Sequence, residues 1–223
     1  MNRRRALTVG VTTGLTAVAG CLTGMLDDES SEHAVLAPPE EDIQSESLYP
    51  TYGDPFPAFE LEDPIGETTV DVSALEDALV VTAFFASCPD ECVPLMNSIS
   101  QVQTNAAERG LGDETRILAI TFDPERDTGD ALQDHSDTFG INYEADNWHY
   151  LRPEDHEMAQ SVVYDDLGIP FEREELGDEY DFMHITVTFL VNPNGYVERA
   201  YRGDDPDPVR ITDDLEQVLD GHE

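Results

Sequence analysis

The sequence predicts an α/β fold, a sheet covered by helices on both faces and closed by a C-terminal β-hairpin. Three observations predict it. Apolar runs rich in β-formers, at residues 79–86, 116–122 and 185–191, alternate with stretches of helical periodicity. The last of these runs is followed by Asn192-Pro193-Asn194-Gly195 and a further strand at 196–201, the pattern of a hairpin. Hydrophobic residues make up 39% of the 223, with aromatics throughout, enough for one full core.

The chain divides into three parts. Residues 1–20 read as an export signal: Arg3, Arg4 and Arg5 precede an uncharged run of about 15 residues, short of the roughly 20 needed to span a bilayer. Arg3-Arg4-Arg5-Ala6-Leu7 resembles a twin-arginine signal. Val18-Ala19-Gly20-Cys21 resembles a lipobox, in which Cys21 would be lipidated and become the N-terminus. Residues 21–50, rich in acidic residues and proline, read as an extended flexible tether holding the domain off the membrane. Residues 51–223 form the folded domain.

Within the domain the run Leu79-Val80-Val81-Thr82-Ala83-Phe84-Phe85-Ala86 reads as a strand buried on both faces. A helix follows over 94–109, with Leu95, Ile99, Val102 and Ala106 on one face, Pro94 in its first turn and Gly110 as its stop. The strand at 116–122 precedes a helix over 128–139 ended by Gly140. A helix over 153–167 presents Met158, Val162 and Val163 and is ended by Gly168. The strands at 185–191 and 196–201 and a helix over 209–219 complete the chain.

The charge limits the function. The 49 acidic residues face 11 basic ones, all arginine, for a net charge of −38. Such a chain repels phosphates, so no nucleic-acid partner is expected. The acidic residues are spread along the sequence rather than focused. That is the pattern of a halophilic surface kept hydrated in high salt. At molar salt the Debye length is about 3 Å, which removes long-range steering of a cation.

With Cys21 assigned to the leader, Cys88 and Cys92 remain as an isolated pair. The loop they would close is too short to restrain the unfolded chain strongly. A reversible disulfide or a shared metal ion explains their proximity better. They stand where the buried strand ends and a helix begins, and backbone N–H groups at a helix start stabilise a thiolate. Asp90 and Glu91 disfavour a thiolate but favour a bound cation. Two thiolates suit Cu(I), and with an imidazole Cu(II) as well; a closed structural zinc site needs four ligands.

Phe84-Phe85 followed by Cys88-Pro89-Asp90-Glu91-Cys92 resembles the Sco/SenC family of copper-binding assembly factors for cytochrome c oxidase. The resemblance continues in order through Ala119-Ile120-Thr121-Phe122-Asp123-Pro124-Glu125-Arg126-Asp127-Thr128 and Asn147-Trp148-His149-Tyr150-Leu151. It ends with Met183-His184-Ile185 before Phe189-Leu190-Val191-Asn192-Pro193-Asn194-Gly195, so that it spans about residues 52–220.

The resemblance implies a thioredoxin-like fold with a central mixed sheet flanked by helices. It implies one copper ion per domain, held by Cys88, Cys92 and His184. It further implies as partner the copper-receiving subunit of a terminal oxidase, while the leader and Cys21 lead us to expect an exported protein on the outer face of the cytoplasmic membrane. One departure is Val93, where the family has proline; here Pro94 comes one residue later, which could shift the helix start. Asp123 and Arg126 could support the site from a strand end or form a local ion pair. His33, His135, His149, His156 and His222 lack the context of His184 and read as surface or structural residues.

Two functions compete for the site. One is delivery of copper to a dinuclear oxidase centre. The other is thiol–disulfide exchange by a Cys88/Cys92 redox pair, directed at the cysteines of that same centre. Thioredoxin-type catalysts have two residues between their cysteines and a proline on the facing loop; here there are three residues, and the His184 region takes the proline's place. A peroxiredoxin-like activity is disfavoured, because Phe85 stands where that family has threonine.

Overall fold

The computed structural model describes residues 32–39, 47–177 and 179–222. Cys21, the leader and much of the expected tether lie outside the described residues. The core of the domain is a five-stranded mixed sheet. Its centre is β3 (Ala78–Phe84), in which all seven residues are buried. Successive side chains of a strand point to opposite faces, so burial of every one means that both faces are covered. β3 pairs in parallel with β4 (Thr115–Thr121), which pairs in parallel with β5 (Trp148–Leu151) at the edge. On its other side β3 pairs antiparallel with β8 (Val187–Val191), and β8 with β9 (Val197–Arg202) across the 192–195 turn.

The helices keep their predicted order. α1 (Cys92–Arg109) starts two residues before the expected position and stops at Gly110, whose φ of 79° is left-handed. Pro94 therefore sits within the first turn, where no N–H is needed for the helix ladder. α2 (Gly129–Phe139) is capped by Thr128, whose side chain accepts from the Ala131 N–H. α3 (His156–Ala159) widens into a π-helix over Gln160–Asp166, where a regular helix was expected. Val162 and Val163 are both buried as predicted, whereas Met158 is 38% exposed and Ala159 takes the inward place. α4 (Pro208–His222) packs on α1 and buries Ile211, Leu215 and Val218. Arg109 ties the two by ion pairs to Asp213 and Glu216.

The edge strand β5 and two small hairpins lie outside the expected set. β1 (Glu60–Asp63) pairs with β2 (Thr68–Asp71), and β6 (Phe171–Leu176) with β7 (Glu179–His184). Among the described residues β6–β7 has no partner strand in the central sheet, whereas β1 touches its edge through a single bridge, the Arg152 N–H just past β5 donating to the Glu62 carbonyl at 2.8 Å.

The expectation of a free tether does not describe its residues 33–37, which lie docked against the domain. The buried Glu198 carboxylate accepts the N–H groups of Val35 and Leu36 at 2.7 and 2.9 Å. Asn192 Nδ2 donates to the His33 carbonyl, and Tyr52 Oη to the Leu36 carbonyl. Leu36 is 6% exposed, so an apolar side chain and a satisfied backbone hold the segment where charge alone predicts none. Among the described residues, no helix is long and apolar enough to cross a membrane.

Candidate metal centre

β3 delivers the chain to the site. After Phe84 the backbone turns, Cys88 N–H closing on the Phe85 carbonyl, and Cys92 becomes the first residue of α1. The turn places the Cys92 N–H 3.3 Å from Cys88 Sγ, so the start of α1 donates directly to that sulfur. Both cysteines are free and buried, Cys88 at 7% exposure and Cys92 at 2%. Asp90 and Glu91 are exposed on the turn. Val93 is 40% exposed, away from the buried sulfurs, and the helix begins one residue before it, at Cys92.

His184 arrives from the other direction, as the last residue of β7. Its Nε2 lies 3.9 Å from Cys92 Sγ, and its Nδ1 lies 3.2 Å from the Ile185 carbonyl oxygen. That carbonyl can only accept, so Nδ1 carries a proton and the Nε2 of a neutral imidazole is the free lone pair, aimed at the sulfurs. The ring is walled by Phe85 and Phe122, at centroid distances of 5.8 and 5.1 Å.

The donor atoms of Cys88, Cys92 and His184 all lie within 4.8 Å of one another. Metal–sulfur and metal–nitrogen bonds of roughly 2.0–2.3 Å at trigonal angles put their donors about 3.8 Å apart. The spacing and the soft donor set therefore fit one thiophilic ion bound by two thiolates and an imidazole. A cleft of about 430 Å³ reaches the sulfurs from the side of Arg126, Asp127, His135 and Phe139.

The electrostatics divide the two thiols. The hydrogen bond from Cys92 outweighs the burial of Cys88 and, with those from His184 and from backbone N–H groups, lowers the Cys88 pKa to about 4. Cys92 is pushed in the opposite direction, because it donates to Cys88 and is itself deeply buried. Burial opposes the His184 imidazolium, yet the hydrogen bonds to Cys88 and the Ile185 carbonyl overcome it and raise its pKa. The reduced site thus holds one thiolate beside one thiol that keeps its proton.

Asp123 and Arg126 are not ligands. They follow β4, bonded to each other, and both reach Tyr180 on β7. The other histidines serve elsewhere. His135 bonds the Tyr150 hydroxyl, His149 the buried Asp63 carboxylate, His156 packs on Phe171, and His33 stacks on Tyr196. Sequence reasoning missed Tyr180 and Phe182, which share the face of β7 that carries His184. The signal was their alternation, Tyr180-x-Phe182-x-His184, hidden within a segment otherwise acidic and exposed.

The SCO1/SenC family model matches residues 53–220. A SCO2-like protein of Rickettsia typhi is 30% identical over 151 residues, 65% of this chain and 68% of the relative. Among solved structures, Bradyrhizobium japonicum ScoI with copper bound superposes at a TM-score of 0.62 with 19% identity, over 74% of this chain and all of that one. BsSco, described as a member of the Sco family of cytochrome c oxidase assembly proteins with a disulfide switch, superposes at 0.60 with 19% identity, over 75% and 95%.

Proposed function

Because this chain belongs to the SCO1/SenC family, we propose that it is an exported copper carrier that holds one copper ion on Cys88, Cys92 and His184 and delivers it to the dinuclear centre of a terminal oxidase. The observation that carries the reading is the convergence of two thiols from the β3–α1 turn and an imidazole from β7 within 4.8 Å. Copper held by the related ScoI, and the role of BsSco in oxidase assembly, support it. The lipobox at Cys21 supports attachment to the outer face of the cytoplasmic membrane. The dispersed charge of −38 supports work in concentrated salt.

Copper is the cargo in this reading. The two thiolates select the soft Cu(I), and the His184 imidazole adds the harder donor that Cu(II) requires. Phe85 and Phe122 cover one side of the imidazole, and Phe182 packs behind them. A transfer step then needs only that the client's thiolates displace these ligands one at a time.

The asymmetry of the thiols favours a second reading, thiol–disulfide exchange. A Cys88 thiolate is poised to attack a client disulfide, and Cys92 can resolve the mixed disulfide once it gives up its proton. Oxidation of the pair would remove both thiolate ligands, so the two chemistries are linked.

Copper titration of the reduced protein, paired with an insulin-reduction assay, tests these readings. One tightly held Cu(I) per chain is expected. With Cu(II), a thiolate-to-copper charge-transfer band should vanish in Cys88→Ser and Cys92→Ser and weaken in His184→Ala. Unchanged copper stoichiometry in the double cysteine variant would refute the carrier reading. Strong insulin turnover without tight copper binding would favour the redox one.

A further inference from the structure

We infer that Tyr180, Asp123 and Arg126 form a latch that fixes the β6–β7 hairpin, and with it His184, against the cysteines, which makes Tyr180 a positioning residue for the copper site. The inference rests on the ligand assignment proposed above and names what holds the third ligand in place.

Among the described residues the hairpin has no hydrogen-bonded neighbour strand in the central sheet, and the bond from the Ile185 N–H to the Pro170 carbonyl only extends its own ladder past the Phe171–His184 pair. Side chains must therefore decide where it lies. Tyr180, Phe182 and His184 are two residues apart and project from one face of β7. Phe182 packs on Phe85 and Phe122, each at 5.3 Å between centroids. That apolar contact has no unique register, because a ring can slide on rings.

Tyr180 supplies the register. Its hydroxyl donates to Asp123 Oδ1 at 2.8 Å, and its carbonyl accepts from Arg126 Nη1 at 2.8 Å. Arg126 Nε closes the triangle on Asp123 Oδ2. The guanidinium carbon of Arg126 lies 3.9 Å from the centre of the Tyr180 ring, and that of Arg173 lies 3.5 Å from it. A ring face admits one guanidinium at that distance, so the two cations enclose the phenol. The Asp123 carboxylate is 2% exposed and needs these donors. Asp123 stands two residues past the end of β4, and β4 is paired with β3, which leads into the turn that holds Cys88 and into α1, where Cys92 is the first residue. The latch thus connects the ligand on the hairpin, through the paired β4 and β3, to the ligands at the β3–α1 turn.

Tyr180→Phe in the full chain tests this. It removes the hydroxyl and keeps the ring. We expect amide hydrogen exchange to accelerate through β6 and β7 in the metal-free protein while β3 and β4 are unchanged. Cu(II) affinity, measured by chelator competition, should fall roughly 10- to 100-fold, the effect of losing a group that orients a metal-bound histidine. In a His184→Ala background the same substitution should change the affinity less than about twofold. Unaltered exchange in β7, or an equal loss of affinity with and without His184, would overturn the latch. Asp123→Asn weakens both contacts and replaces Tyr180→Phe if that variant fails to fold. Should His184→Ala alone leave Cu(II) affinity intact, the ligand assignment fails, and the latch is then decided by the exchange data.

Discussion

Removing the Cys92 sulfur should return Cys88 towards an ordinary thiol. The hydrogen bond from Cys92 is the largest influence that brings the Cys88 pKa to about 4. Hydrogen bonds to charged groups are worth about 1.5–3 kcal/mol, so Cys92→Ala should raise the Cys88 pKa by roughly one to two units. Cys92→Ser keeps a donor and should raise it less. Thiolate ultraviolet absorbance across an acid titration reads this directly. Reaction with an aromatic disulfide gives a second readout on the unaltered protein. At pH 5 its thiolate should be about 3000-fold more abundant than that of an unfolded thiol of pKa about 8.5. Its intrinsic nucleophilicity is roughly 100-fold lower, so native Cys88 should react about 30-fold faster than the unfolded chain. Burial slows the reaction equally at every pH, so the slope is the secure signature: flat from pH 5 to 8 when folded, steeply rising when unfolded. A native rate that climbs about tenfold per unit over that range would refute the ionised Cys88. So would a titration midpoint that Cys92→Ala leaves in place.

Two further outcomes follow from buried charges. Asp127 is raised by burial to about 6, so the folded state gains protons before the unfolded one and stability rises as pH falls from about 6 to 4. His135 is lowered by burial to about 4, so its contribution is lost as pH falls from about 6.5 to 4. The two contributions, each about 3 kcal/mol, oppose one another in the same window. Urea denaturation of Asp127→Asn should therefore show a steep loss of stability below pH 6 that the unaltered protein lacks; parallel pH profiles would contradict the assignment. Glu198→Ala should orphan the Val35, Leu36 and Asn192 donors, cost about 3 kcal/mol, and expose residues 33–37 to proteases. Copper binding should be unaffected, because Val191, just before this contact, pairs with Leu79 at the end of β3 remote from the cysteines. A copper defect in Glu198→Ala would show that the two ends communicate.

Much of the fold was legible because its strands are buried on both faces. The runs that became β3, β4 and β8 could not serve anywhere but a sheet interior, and Gly110 and Gly140 marked helix ends that their left-handed φ values explain. The hairpins escaped notice for the opposite reason. β6 has one buried residue in six, so it carries no hydrophobic alternation, and its strand character comes from its pairing with β7. Docking of residues 33–37 was equally hidden, since its contacts are backbone groups meeting one buried carboxylate far along the chain.

The sequence alone determined the chemistry of the site. Two thiols at a strand-to-helix turn, and a histidine before a later strand, restrict the ligand to a soft metal or a redox partner, because these properties belong to residue type and local backbone. Tertiary structure decided the rest. It brought His184 Nε2 to 3.9 Å from Cys92, gave the thiolate to Cys88 and the proton to Cys92, and bound the His184 hairpin to Asp123 and Arg126 through Tyr180. Those outcomes depend on burial and on distances between residues up to about a hundred positions apart, and local sequence encodes neither.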